Sequence, residues 1–345
     1  MKQEKTFIKG YLLVLIVLIA GSLTLWGGLS SASSQMLSVR VAYSTLGAIV
    51  LPVWITREAS LDRQYGLDAE LVFLRGGTTT TQALLSKSVE FAILSGTSMT
   101  LANLGGADLV IVGTYHNKLN FKIIARPEIT APKDLVGKKI GVQSFTGASA
   151  FAARVGLHKL GVNPGEVQLV VMGDNQGILS GMESKALMAG AISDPHGLMA
   201  QKLGFKVLHD FLKSDLPFAS LSVVTRREYA LSHEEVVTRL LKAQMEGIRY
   251  LLSYPDRAKT TISKYARIKD PEALDYTFRL FSSGYIPSLM PEPEGMKAVY
   301  EGLADQRSEA KNLETRAYIY DPIIRKIHQS GFPKELDRLY PGTRQ

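Results

Sequence analysis

The stretch KKIGVQSFTGASAFAARVGLHKLG, Lys138 to Gly161, reads as a strand, a loop of Ser, Thr and Gly, and then a helix. Ser144, Phe145, Thr146 and Gly147 fall between the carboxyl end of the strand and the start of the helix. The first N–H groups of a helix have no partner within it and stand at its positive end, which suits an anionic or strongly polar group. Gly147 lets the backbone come close to such a group, and Thr146 is placed to cap the helix. Ala148, Phe151, Ala152 and Val155 form its buried stripe. A capped helix with no ligand has the same signature, so the loop has to be read with the rest of the chain.

The same unit recurs on both sides. Upstream, LSVRVAY alternates with Leu37, Val39, Val41 and Tyr43 on one face, which predicts a half-buried strand. A helix over LPVWITREASLDR follows, with Pro52 in its first turn and Val53, Trp54, Arg57 and Leu61 at helical spacing. Tyr65-Gly66-Leu67 turns the chain into the strand DAELVFL, and RGGTTTTQALLSKS, VEFAIL, SGTSMTLANL and DLVIVGT continue as helix, strand, helix, strand. Such alternation predicts a parallel sheet with helices on its faces. Ligands of such sheets sit beyond the carboxyl ends of the strands. Three loops there share one chemistry: Ser44-Thr45-Leu46-Gly47, Gly76-Gly77-Thr78-Thr79 and Ser95-Gly96-Thr97-Ser98.

A second alternation begins after Asn120, with FKIIAR, KIGVQS, VQLVVMG, LMAGAIS and FKVLHDF as strands. Asp174 and Asn175 end VQLVVMG, and Asp194, Pro195 and His196 end LMAGAIS. These polar groups are candidates for a second wall of the site, or caps of the helices that follow. The strand LSVVTR then leads into a wholly helical tail whose last candidate is TRAYIYDPIIRKIHQSG. Tyr43 and Trp54 fit either a flat wall for an aromatic ligand or the core.

Composition excludes several classes. The chain of 345 residues has no cysteine, which removes disulfides, thiolate metal sites and cysteine nucleophiles. Six histidines show no metal-ligand spacing. There is no nucleophile elbow, Walker loop, GxGxxG fingerprint or HExxH pair, so an enzyme, a cofactor and a metal are not expected. The formal charge of +8 comes from 40 basic and 32 acidic residues spread along the chain. The longest basic runs are the pairs Lys138-Lys139 and Arg226-Arg227, so a nucleic-acid surface is not expected.

The first 34 residues differ from the rest. Lys2, Lys5 and Lys9 precede an uncharged run from Tyr11 to Leu29 and then the small polar stretch SSASSQ. That order predicts a secretory signal peptide over residues 1–34, or an N-terminal anchor if it stays uncleaved, and hence a periplasmic or extracytoplasmic protein.

Taken in order, VRVAYSTLGAIVLPVWITREASLDRQYGLDAELVFLRGGTTTTQALLSKSVEFAILSGTSMTLANLGGADLVIVG, PKDLVGKKIGVQSFTGASAFAARVGLHKLGV and DPHGLMAQKLGFKVL resemble solute-binding proteins of bacterial ABC importers. The branch resembled is the one that handles nitrate, sulfonates, taurine and thiamine pyrimidine precursors. The resemblance implies a type II periplasmic-binding-protein clamshell of the α/β class, each lobe a mostly parallel sheet flanked by helices, with a helical C-terminal tail. Residues 35–120 and 220–345 would build the first lobe and residues 121–219 an inserted second lobe, joined by a hinge at the two crossings. It further implies a monomer that captures a small organic anion between its lobes and delivers it to the transmembrane subunits of an ABC permease. An anchored sensor, or a binder of a pyrimidine precursor or other heteroaromatic, is the alternative. The ligand would meet Ser44, Thr45, Leu46, Gly76, Gly77, Thr78, Ser95, Gly96, Thr97, Ser144, Phe145, Thr146, Gly147, Asp174, Asn175, Asp194 and His196.

Overall fold

Residues 36–214 and 216–343 are described by the structure, a computed structural model. The expected signal peptide or anchor of residues 1–34 lies outside them. No helix among the described residues is long and apolar enough to cross a membrane.

The first alternation forms β1 (Leu37–Tyr43), α1 (Leu51–Glu58), α2 (Leu61–Gln64), β2 (Leu67–Phe73), α3 (Gly77–Leu85), β3 (Phe91–Leu94), α4 (Gly96–Leu104) and β4 (Leu109–Lys118). The single helix expected over LPVWITREASLDR is two. Ser60 sits in the left-handed region at φ 55°, which an α-helix cannot include, and the chain turns there. The second alternation gives β5 (Lys122–Ala125), β6 (Lys139–Val142), α5 (Ala148–Lys159), β7 (Gln168–Val171), α6 (Asn175–Glu183), β8 (Ala189–Ile192), α7 (His196–Lys202) and β9 (Lys206–Asp210). The chain then returns as β10 (Pro217–Arg226) and finishes in α8 (Arg227–Ser232), α9 (Glu234–Ser253), α10 (Pro255–Ala266), α11 (Pro271–Ser282), α12 (Pro293–Leu303), α13 (Pro322–Gln329) and α14 (Phe332–Leu339).

Two five-stranded sheets result, in the orders β2-β1-β3-β10-β4 and β7-β6-β8-β5-β9. Each is mixed, with one strand running against the rest. β10 is antiparallel to β3 and β4, and β5 is antiparallel to β8 and β9. The parallel pairs β1/β2, β1/β3, β6/β7 and β6/β8 carry the strand ends that the sequence points to. The chain passes from the first sheet to the second between Lys118 and Lys122 and comes back at Pro217, which pairs with Lys118, so the two crossings run side by side.

The tail packs on the first sheet, which makes it a three-layer structure. In α9 the residues Val237, Leu240, Leu241, Met245, Ile248 and Leu251 recur at helical spacing and are buried against a core that includes Trp54, Phe91, Val112 and Val223. Trp54 stacks on Tyr265 with centroids 5.0 Å apart, and Tyr43 meets it edge-on at 6.1 Å, so both belong to this core and offer no wall to a ligand. Another apolar cluster continues from the opposite face of the first sheet through Phe121, Phe151 and Phe218 to Ile123 and Ala191 of the second. The expected last helix is only partly helical: Tyr318 to Tyr320 run extended beside Ile111, exchanging two backbone hydrogen bonds of 2.9 Å with it.

Candidate functional site

The parallel strands of both sheets point their carboxyl ends at one cleft. Ser44 follows β1, Gly76 and Gly77 follow β2, Ser95 follows β3, Gln143 and Ser144 follow β6, and Ser193 follows β8. Alternation within a strand buries its side chains against the helices, so the first residue past the strand is the one free to face the gap. The N-termini of α3 and α5 open onto the same gap at Gly77 and Ala148, and that of α4 reaches it through Ser95 and Ser98.

The cleft encloses about 50 Å³ of space open to water centres, where one water needs about 10–15 Å³. Its lining is hydroxyl and amide on Ser44, Thr45, Ser95, Ser98, Gln143, Ser144, Ser193 and Ser220, with Asn120 at the crossing. Ile49, Phe121 and Leu221 add apolar surface. None of these lining groups carries a charge, so the wall acts through oriented dipoles and not ion pairs.

Of the residues expected at the site, Ser44, Thr45, Gly77, Ser95, Ser144 and Gly147 line the gap. Gly76 lets the loop after β2 approach the loop after β6, and Gly77 lets α3 approach α4. Gly76 has φ +83°, and a Cβ on it would stand 3.2 Å from the Ser144 Cβ. A Cβ on Gly77 would collide with the Ser98 hydroxyl. Thr78 and Thr146 share a hydrogen bond of 3.0 Å across the gap, and Ser98 donates to the Thr146 carbonyl at 3.2 Å. Thr146 is therefore not the helix cap. Gly147 holds the N-cap position of α5, and its N–H donates to the Ser144 hydroxyl at 3.1 Å. Phe145 is 53% exposed at the rim.

The remaining candidates stand behind the lining or beside it. Thr97 is buried and bonded to Ser95 at 2.7 Å. Gly96 packs its backbone against Met296, Ala219 and Val299, and Leu46 packs into the first core. Asp174 caps α6 by accepting from the Gly177 N–H at 2.8 Å and lies 3.5 Å from Arg75 of the first sheet's loop. Asp194 is buried in an ion pair with Lys122 and accepts from the Tyr276 hydroxyl of α11 at 2.9 Å. Burial and that carboxylate together push the Tyr276 phenol pKa up. His196 starts α7, and its burial pulls the imidazole pKa down. Asn175 is buried one layer back, accepting from Gln143 Nε2 at 2.8 Å and donating to Ser193 Oγ at 2.7 Å.

Ser98 stands in an expected loop, whereas sequence reasoning missed Ile49, Asn120, Phe121, Gln143, Ala148, Ser193, Ser220 and Leu221. Four of these sit where the chain changes sheets, and crossings placed side by side form a floor. The pairs Asn120-Phe121 and Ser220-Leu221 were the available signal, since each abuts an expected crossing. No cluster of three or more His, Asp or Glu suited to a metal occurs among the described residues.

The NMT1/THI5-like family profile matches residues 63–258, more than half the chain. The chain is 26% identical over 178 residues to the riboflavin-binding protein RibY of Chloroflexus aurantiacus, a match over 50% of each chain, so it aligns with only half that relative's length. It is 23% identical over 252 residues to the taurine-binding periplasmic protein of Escherichia coli, covering 68% of this chain and 74% of that one. The alkanesulfonate-binding protein SsuA of Xanthomonas axonopodis pv. citri, solved bound to MOPS, superposes with a TM-score of 0.66 at 17% identity over 82% of this chain and 98% of that one. With its two mixed sheets, helical tail and shared cleft, the chain belongs to the NMT1/THI5-like family and carries the two-lobed type II periplasmic binding fold.

Proposed function

We propose that the protein is the substrate-binding component of an ABC importer, capturing a small polar organic solute between its two sheets and presenting it to a membrane permease. The observation that carries this reading is the convergence of five strand ends and three helix N-termini on one gap lined by uncharged hydrogen-bonding groups. Oxygen atoms of a small organic anion would be held by N–H groups and hydroxyls there, the arrangement that favours negative charge without a counter-ion. Closure over the solute would hold the lobes as the bonds of Thr146 with Thr78 and Ser98 already do. The lining of the gap holds no histidine or carboxylate to pair with its serines, which favours a role in binding.

The test is thermal unfolding of the protein from Gln35 onward with sulfonates, taurine, nitrate, bicarbonate, aromatic acids, riboflavin and pyrimidines. A solute at 100 times its Kd adds about 2.7 kcal/mol of stability. Replacing Thr146 and Gly147 by Val should abolish that gain, because a Cβ on Gly147 stands 2.7 Å from Ser144 Oγ and displaces the lining, while a cooperative unfolding transition without solute checks that the fold is kept. Retained affinity in that variant refutes the cleft.

The uncharged run Tyr11–Leu29 supports a second reading, a clamshell anchored at its N-terminus that reports its solute to a membrane partner. N-terminal sequencing of the mature protein separates the two.

A further inference from the structure

Behind the second-sheet wall, Asn175 touches two lining residues and does not line the gap itself. It is 4% exposed, at the first position of α6. Its Oδ1 accepts the backbone N–H of Ser193 at 3.3 Å. A backbone N–H can only donate, so this bond decides which end of the Asn175 amide is oxygen. Everything else follows from that assignment. Oδ1 also accepts from Gln143 Nε2 at 2.8 Å, so the Gln143 amide nitrogen is turned inward. Nδ2 donates to Ser193 Oγ at 2.7 Å, so that oxygen is the acceptor there and its own O–H must donate elsewhere. The backbone of Gln143 is held as well, by donation from its N–H to Ser149 Oγ at 2.8 Å.

Resting on the reading of the cleft as the solute site, we infer that Asn175 is a positioning residue that fixes the hydrogen-bond polarity of this wall. Ser193 presents a donor to the gap and the Gln143 carbonyl an acceptor. The solute that matches carries a hydrogen-bond donor as well as acceptor oxygens, and an acceptor-only anion leaves Gln143 Oε1 unpaired. An acceptor left unpaired when the gap closes over a solute weakens binding roughly thirtyfold relative to the donor-bearing solute.

The probes are two matched pairs, taurine with ethanesulfonate and uracil with 1,3-dimethyluracil, each differing in the N–H donor. Calorimetric titration should give the donor-bearing member of at least one pair a Kd at least tenfold lower. Asn175→Asp keeps both bonds to Oδ1 but draws the Ser193 hydroxyl inward, so it should weaken that probe as much as Ser193→Ala does. The double variant should be no worse than either single one, since Asn175 acts through Ser193. A merely structural Asn175 would instead lower the unfolding temperature and give losses that add. The inference is overturned if neither pair binds, if the two members of each bind alike, if Asn175→Asp binds as the wild type does, or if the losses add. Gly147→Val separates this from the cleft reading. Should it abolish binding of both members of a pair that bind alike, the cleft stands and the polarity of its wall is wrong. Should it leave binding intact, the cleft reading itself falls.

Discussion

Asp174 and Asn175 are adjacent, both polar and both expected at the site, yet they do different work. Asp174 caps a helix and faces Arg75, while Asn175 bonds two lining side chains. The sequence places both after a strand and cannot separate them, because the choice depends on Gln143 and Ser193, 32 and 18 residues away. Ser144 and Gly147 line the gap at a strand's carboxyl end, a position visible in the sequence, although the same signature fits a capped helix until it is read with the other loops. His116 in β4 carries a different signal. It is buried against Phe281 and Tyr285, and burial pulls its imidazole down to about 4 from 6.5. The unfolded chain therefore binds a proton that the folded one refuses between these two values. Stability is unchanged above pH 6.5 on this account, falls as the pH drops from 6.5 to 4, and levels off below. The full loss is about 3 kcal/mol. Urea denaturation midpoints across that range should show it, and His116→Gln should flatten the curve.

Most elements could be read from periodicity, and their failures have local causes. The strands from β1 to β10 appear in the expected order because apolar alternation and Gly or Pro punctuation are properties of the strand itself. The extended run at Tyr318–Tyr320 was hidden because it exists only through its partner Ile111. Helix α4 makes the same point about sites. Its Gly96 stands in a small-residue loop that looks made for a ligand, but the missing side chain serves packing. A Cβ there would lie 2.9 Å from Met296 Sδ and 3.0 Å from the Ala219 Cβ. Gly96→Val should force α4 away from α12 and cost about 1–3 kcal/mol, read as a lower urea midpoint at unchanged slope.

At the scale of the molecule, the two sheets are held together by bonds that any opening must break. Tyr276 of α11 reaches Asp194 beside the second sheet, Arg75 reaches Asp174, and Thr78 and Ser98 reach Thr146. The Tyr276 bond goes to a buried carboxylate and is therefore the strongest of the set. Tyr276→Phe keeps the ring and removes that bond, so the unliganded protein should populate open forms more. Small-angle scattering should report a larger radius of gyration for the variant without solute, with the difference lost at saturation. An unchanged radius would show that Tyr276 does not hold the lobes.

The return strand β10 has a further consequence, for the order in which the chain acquires structure. It fills the gap between β3 and β4, yet it follows the whole second sheet in sequence. Until residue 226 is available, β3 and β4 have no common neighbour and keep open edges, whereas β5 to β9 find all their partners within one contiguous stretch. The inserted sheet is thus the low-contact-order part and can nucleate early. The first sheet stays exposed to wrong pairing for as long as its middle strand is missing, so the half of the protein that begins first is the half completed last.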